Sequence, residues 1–558
     1  MTTEARAPRG SLLSLETDGA TLAYAIAIAL ICAGCFVTRL LPLVDYPQHL
    51  ALAEIARRLS DPSAPEHATH WVNRFTYNGL FHLVVAALGR VMPIELAGRS
   101  VVALSLALFG ASSVALLRVL GRPASYAALF VPFLFSFSMG WGFVNFALGM
   151  ALAIATSVSV ARSLRRPTWW LVLATAALGL LTAMTHVFAT LILCLFALSL
   201  APEVAWRSSR ADAAPAEATF VTASRALLRM FLALAPILVA AAWCIAVYRQ
   251  QYAWDPGMYK DATLEGTSPP IWQKVAWFAS WATGLHSDDT DQALVGFAFA
   301  MIAAIALISW RVRRSSPAPI AGDADARDDV GPLYLPFLVA AGAYLATPMV
   351  LQGTHLIFPR LTQVVVLGAL LAVPRLRAPF EAPVRHLALA IALCTGLNLF
   401  LHDLAFARET DDASRVIDEL PPNRSATAVI YGGDTFAFRH GPLIHLAAYY
   451  AARKHGDFAF SFARYLSVPV RFKPFGGPPW PLKGWEFNAS DYNPRCKFAR
   501  RFDLVILKAP GDLPTGDASE QRVREIVFGQ DAWNVRLVSH HGRYWGFDTR
   551  GLPDDGTF

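Results

Sequence analysis

The chain is poor in charge. Asp, Glu, Lys and Arg make up 16 % of its 558 residues, where a soluble globular chain carries roughly a quarter. With 55 % hydrophobic residues and a mean hydropathy of +0.40, a soluble protein of this size is excluded. Paired cysteines are lacking too. The six, Cys32, Cys35, Cys194, Cys244, Cys394 and Cys496, fall mostly in or beside apolar runs. No disulfide framework or metal spacing follows, and they read as small core residues. There is no G-x-x-x-x-G-K-[ST] and no strand-borne G-x-G-x-x-G, so the usual cradles for a soluble nucleotide are absent. Internal repeats are missing, and charged residues avoid the middles of the apolar runs. Both absences count against a transporter or flippase, whose pathway places charge at mid-membrane and whose halves repeat.

What remains is a series of apolar runs, each long enough to cross a bilayer or nearly so. They predict about eleven spans, near 21–42, 97–118, 124–140, 143–162, 168–185, 187–204, 226–247, 291–311, 331–351, 359–374 and 385–405. The first is too long for a signal-peptide core and lacks a convincing cleavage site, so it reads as a transmembrane helix. Leu80–Met92 is apolar but too short to span, and fits a helix lying at the interface. The arginines test this arrangement. Arg118, Arg122, Arg162, Arg165, Arg166, Arg207, Arg210, Arg225, Arg229, Arg311, Arg313, Arg314, Arg375, Arg377 and Arg385 all fall on one side if 80–92 does not cross. That side is cytoplasmic by the positive-inside rule. The net charge of +7 is therefore an orienting signal rather than a nucleic-acid one.

These readings give a polytopic α-helical protein of the inner (cytoplasmic) membrane. Residues 1–20 are a cytoplasmic tail, 21–406 the transmembrane domain, and 407–558 an extracytoplasmic α/β domain. In the last, "ATAVIYGG" and "RRFDLVILKAPG" read as strands and "PLIHLAAYYAARKHG" as a helix. The stretches Arg207–Arg225 and Arg314–Val330 read as polar cytoplasmic linkers.

Polar residues gather at the outer ends of the spans. Asp45 leaves the first span, followed by Tyr46, Pro47 and His49. Trp141, Asn145, Thr185, His186, His355, Pro359 and Arg360 sit at the outer ends of others, and Asp255, Asp288, Asp289 and Asp291 lie in or beside the outer loop 249–290. Ionisable groups at membrane depth are costly and usually line a cavity. Pro47 suits a first helical turn, and Asp45 could serve as its N-cap. The Asp288–Asp291 run could ligate a hard cation but carries no specific motif.

The segments "PLVDYPQHLA", "YNGLFHLVVAALGRVM" and "ELAGRSVVALSLALFGASSVALLRVLGR" resemble the GT-C membrane glycosyltransferases, which include the bacterial aminoarabinose transferases and the protein O-mannosyltransferases. The resemblance implies a transferase moving a sugar from a polyprenyl-phosphate carrier to an extracytoplasmic glycan, lipid or protein acceptor, with inversion. Asp45 takes the place of the acidic residue that is base or acceptor contact in the family. A second acid often stands beside it, and here Tyr46 and Pro47 occupy those places. Arg360 and His186 are the candidates for the donor phosphate. Tyr46, His49, Asn145 and His355 are those for the rest of the substrate. The expected partners are the lipid-linked sugar and the bilayer, with no nucleic acid, no cofactor and no metal. The missing second acid leaves a catalytically silent scaffold of an envelope-assembly complex as the rival reading.

Overall fold

The computed structural model describes residues 18–74, 76–211, 219–254, 268–315, 332–350, 355–376, 378–465, 467–473, 484–511 and 517–552. Helix α1 (Asp18–Val37) enters the apolar bundle. The segment after α1 then folds as α2 (Tyr46–Arg58), β1 (His70–Val72) and α3 (Leu80–Leu88). The bundle continues with α4 (Ile94–Val119), the short α5 (Phe137–Gly140), α6 (Val144–Arg165), α7 (Trp169–Thr185), α8 (Val187–Ala211) and α9 (Thr219–Trp254). After α10 (Ile271–Ala276) and α11 (Phe278–Ala282) come α12 (Thr290–Ser315), α13 (Tyr334–Ala346), α14 (Thr362–Ala372) and the long α15 (Ala378–Glu419).

Among the described residues seven helices are long and apolar enough to cross a membrane, and four shorter apolar helices accompany them. The chain is thus a multi-pass helical membrane protein, and its apolar helices match the expected spans in number. One differs in kind. The stretch expected as a span over 124–140 is a 3-10 helix, Ala124–Phe133, followed by α5. Pro132 removes a backbone donor inside it, and Ser136 caps the next turn by accepting from the Met139 amide. The stretch Arg207–Arg225 is helical as far as Ala211 and again from Thr219. Most of Arg314–Val330 and Asp255 lie outside the described residues.

Lipid supplies no hydrophobic drive between apolar helices, so close packing and interhelical hydrogen bonds must hold them. Helix α1 packs on α15 and α4. Gly396 lets two backbones touch: a Cβ there would stand 2.6 Å from the Ala27 carbonyl oxygen. Between α6 and α7, Ser159 and Thr175 hydroxyls meet at 2.8 Å, and Thr156 and Thr182 at 3.4 Å. Helix α6 is the most enclosed of the long apolar helices, with 83 % of its apolar window buried, against 28 % for α12.

Helix α15 runs without a break past residue 406, the expected domain boundary, into the C-terminal region. There β2 (Ala426–Ile430), α16 (Leu446–Lys454), β3 (Val470–Phe472), β4 (Leu504–Lys508), α17 (Asp517–Phe528), β5 (Arg536–His541) and β6 (Tyr544–Asp548) follow. The sheet order is β2-β4-β6-β5, with β2 and β4 parallel and the remaining pairs antiparallel. Strand β3 instead pairs antiparallel with β1, setting His70 opposite Phe472. Helix α16 packs on α2. The C-terminal region is thereby seated on the segment after α1.

Candidate active site

The chain leaves α1 and reaches Asp45 along a path tied to the α5–α6 turn. The Val44 and Asp45 amides donate to the carbonyls of Gly140 (3.0 Å) and Trp141 (3.1 Å). Gly142 makes this approach possible. Its φ is +81°, and a Cβ there would stand 2.4 Å from the Asp45 nitrogen. Glycine is needed for both reasons.

Asp45 occupies the N-cap position of α2, but its side chain makes no capping hydrogen bond. It reaches the C-terminal region instead. His445, at the N-cap of α16, brings Nε2 to 3.2 Å from Asp45 Oδ1, and its Nδ1 lies 3.4 Å from Glu486 Oε2. Gln48 fixes the surroundings: its amide nitrogen donates to the Phe460 carbonyl (3.0 Å), and its oxygen accepts from the Phe462 amide (3.1 Å). Burial alone would push the His445 imidazole down. The hydrogen bonds and charges of Asp45 and Glu486 outweigh it and hold the group up to about 9. The two carboxylates thus favour the protonated form of the imidazole between them, and the Gln48 amide nitrogen also lies 3.3 Å from its Nδ1. One oxygen of Asp45 is committed to the ring.

Two of the expected neighbours belong to the packing around this triad. Tyr46 is 1 % exposed, with its hydroxyl pressed into the space left by Gly98 and its ring against Tyr449. A bulky ring one residue after Asp45 turns into the helix interface because α2 must bury that face against α4. His49 is 6 % exposed, and its Nδ1 lies 3.0 Å from His82 Nε2. Burial pushes His49 down to about 4, so its ring is neutral at physiological pH.

The second half of the site is Arg360, in the 3-10 turn Phe358–Leu361 that leads into α14. It is 5 % exposed. Its Nε donates to the Leu356 carbonyl and its Nη2 to the His355 carbonyl, both at 3.1 Å. Leu356 adopts φ +58°, which turns the loop back over the guanidinium. Three rings, Phe143, Phe146 and Phe188, surround it at 4.0, 5.5 and 5.5 Å. Among the described residues no carboxylate lies within ion-pair distance of Arg360, although the Asp45 charge acts on it from farther off. The His355 side chain is exposed and contributes only its carbonyl.

His186 meets Arg360 in an unusual way. Its Nδ1 accepts from the Phe188 amide at 3.0 Å, so the neutral ring carries its proton on Nε2. That Nε2 faces Arg360 Nη1 at 3.2 Å, and a guanidinium can only donate. Two N–H donors therefore point at one another beside a buried positive charge. Asn145, 2 % exposed, has neither side-chain polar atom hydrogen-bonded, and Trp141 Nε1 nearby in sequence is likewise unpartnered. A buried polar group without a partner costs about 1–3 kcal/mol.

Sequence reading had placed Asp45, His186, Arg360 and Asn145 on one face, but it missed His445 and Glu486. His445 lay within a stretch recognised as a helix, where its position just ahead of the first turn was the available signal. Asp288 and Asp291 are engaged locally: Asp291 accepts from the amides of Leu285 (2.7 Å) and Gln292 (2.8 Å), and Asp288 from that of Thr290 (3.1 Å). Asp289 pairs with Arg439.

No protein-family model matches the chain, and no curated protein matches it. The solved structures to which the chain is similar include ArnT from Cupriavidus metallidurans in the apo state and the same protein bound to undecaprenyl phosphate. The identities are 11 % and 12 %. Each comparison covers 96 % of this chain and 98 % of the other, with a TM-score of 0.49.

Proposed function

We propose that the chain is a membrane glycosyltransferase that moves a sugar from a polyprenyl-phosphate carrier to an extracytoplasmic acceptor. The observation that carries this reading is the pair of donors, Arg360 Nη1 and His186 Nε2, facing one another at 3.2 Å with no carboxylate in contact among the described residues. A phosphate oxygen is the natural complement. It accepts from both, neutralises the guanidinium, and matches its planar fork. The ring faces around the cation suit a ligand whose remainder is lipid.

Asp45 supplies the other half of the chemistry. The acceptor hydroxyl attacks the anomeric carbon as the bond to the carrier phosphate breaks. Asp45 takes the hydroxyl proton through the oxygen that His445 leaves free. The His445 imidazole fixes the orientation of the carboxylate. The departing phosphate gains charge, and Arg360 stabilises it there. A single displacement of this kind inverts the anomeric centre. The N-terminus is cytoplasmic and the C-terminal region extracytoplasmic in this reading, which puts the site at the outer face where lipid-borne donor and water-borne acceptor meet.

The test is binding of a polyprenyl phosphate to the purified protein, followed by transfer from a radiolabelled lipid-phosphate sugar. Arg360→Ala removes a charge-assisted contact worth on the order of 2–4 kcal/mol, a loss of roughly 30-fold or more in affinity. Arg360→Lys recovers only part, because a point charge does not replace the fork. Undiminished binding by Arg360→Ala would remove this residue from the site.

A further inference from the structure

Away from Asp45 and Arg360, two histidines and a carboxylate converge where the outer loop before α12 meets α15. His286 is 3 % exposed, and its ring stacks on that of His402 at 3.8 Å between centroids, the planes 16° apart. His402 Nε2 lies 3.3 Å from Asp288 Oδ1. One ligand atom from each of the three residues falls within 4.8 Å of the others.

The hydrogen bonds fix which atoms are offered. His402 Nδ1 lies 2.9 Å from the Asn398 carbonyl, which can only accept, so Nδ1 carries the proton. In the neutral ring the Nε2 lone pair then faces a carboxylate oxygen: two acceptors confront one another at 3.3 Å. Thr290 orders the rest. Its hydroxyl has one proton and gives it to Asp288 Oδ1 at 2.7 Å, while Asn398 Nδ2 donates to Thr290 Oγ1 at 3.0 Å. His286 Nδ1 lies 3.3 Å from the same Oγ1, the Asn398 side chain also bonds this imidazole, and the ring offers one nitrogen to the cluster. These contacts are the supports that orient metal-ligating imidazoles in known sites.

We infer that His286, Asp288 and His402 form a transition-metal site, of the kind filled by Zn2+, that fastens the outer loop to α15. Two imidazoles and one carboxylate are a zinc-type donor set and not one for calcium or magnesium. Zinc bond lengths of about 2.0–2.2 Å in a tetrahedron place neighbouring ligand atoms roughly 3.4 Å apart, close to the observed separation of His402 and Asp288. A shared ion requires the stacked rings to open so that their lone pairs converge. Asp288, with its side chain 53 % exposed, has room to follow. Water takes the fourth position. The same loop holds the C-terminal region: the Ser287 amide donates to the Ala437 carbonyl and its hydroxyl to the Thr435 carbonyl, both at 3.1 Å. The site would thus stiffen the junction between the bundle and that region. It stands independently of the proposed transfer reaction.

The rival is a protonated His402 paired with Asp288 and no metal. The full-length protein, purified without a metal-binding tag and stripped with chelator, is re-equilibrated with Zn2+ or Co2+ and desalted. The expected result is one equivalent of zinc per chain, a visible d–d spectrum of four-coordinate cobalt, and a melting temperature raised by zinc. His402→Gln and the exposed-site variant Asp288→Ala should each weaken retention at least 10-fold and abolish the zinc-dependent shift. Wild-type protein that holds no zinc, or variants that hold as much as wild type, would overturn the assignment. The first outcome points to the proton-mediated pair and the second to adventitious binding elsewhere. Asp288→Ala changes a surface side chain, so a variant that folds is available even if His402→Gln does not.

Discussion

The Nε2 of His445 lies 3.2 Å from Oδ1 of Asp45, and Glu486 flanks the same imidazole from the other side at 3.4 Å. A residue of the C-terminal region is thus built into the site that the segment after α1 begins. A second carboxylate, Glu486, thus stands across the imidazole from Asp45.

The charge on His445 makes stability depend on pH. Its pKa is raised from the ordinary 6.5 to about 9. A raised value means that the native state binds the proton more tightly than the unfolded state. The stabilisation is therefore full below about pH 6.5 and is lost as pH rises through about 9, with a magnitude on the order of 3 kcal/mol. Melting curves of the wild type should fall over that window, and those of His445→Gln should fall less. Parallel curves would mean that His445 is not an imidazolium in the folded protein.

Asp45→Asn separates chemistry from structure. Asp45 makes no capping hydrogen bond, so the amide costs α2 nothing there, and Asn still accepts from His445. The variant should insert and purify like wild type and retain polyprenyl-phosphate binding. Transfer per folded molecule should drop by about 10² or more, the usual contribution of a general base. Near wild-type transfer would place the base elsewhere. If the wild type itself binds the carrier but transfers nothing, the silent-scaffold reading is the better one.

Gly142→Ala probes the positioning of Asp45 at a distance from its carboxylate. The new Cβ meets the Asp45 nitrogen at 2.4 Å, on a backbone with φ +81°. Strain of this type costs on the order of 1–3 kcal/mol, and the collision adds to it. We expect a lowered melting temperature together with a fall in transfer larger than the loss of folded protein explains. Circular-dichroism melts and transfer assays on the same preparation check this. Unchanged activity would show that the Asp45 segment relaxes freely.

Topology can be tested with a single thiol. Cys496 is only partly exposed and packs on a cluster of core residues, so it is a weak reporter. Ser490 is exposed. Ser490→Cys should react with a membrane-impermeant maleimide in intact spheroplasts. Reaction only after lysis would place the C-terminal region in the cytoplasm and separate it from any outer-face donor.

The bundle was legible because lipid imposes long apolar runs, and arginines mark their ends. The strands β2 and β4 and the helix α16 were legible for the same local reason: each is a short apolar or amphipathic pattern bounded by turn residues. Pro132 within Ala124–Phe133 was visible, but hydropathy alone does not distinguish a 3-10 segment from a span. Arg360 and His186 were placed on one face by counting spans. Their donor-to-donor contact depends on the Phe188 amide, which no pattern announces. His445 and Glu486 were illegible for a different reason. Their meeting with Asp45 follows from the pairing of β1 with β3 and of α2 with α16, and pairings so far apart in sequence leave no local periodicity.

The β1–β3 ladder also sets an order of events during biogenesis. The nascent chain emerges from its N-terminal end, so Asp45, α2 and β1 are synthesised early. Their partners, His445, β3 and Glu486, follow only after the bundle has been threaded into the membrane. Until then the carboxylate has no imidazole to orient it, and β1 lacks its pairing strand. An immature or prematurely terminated chain would hold the Arg360 segment without the His445 partner of Asp45. The last part of the protein to be synthesised therefore acts as the latch on the first.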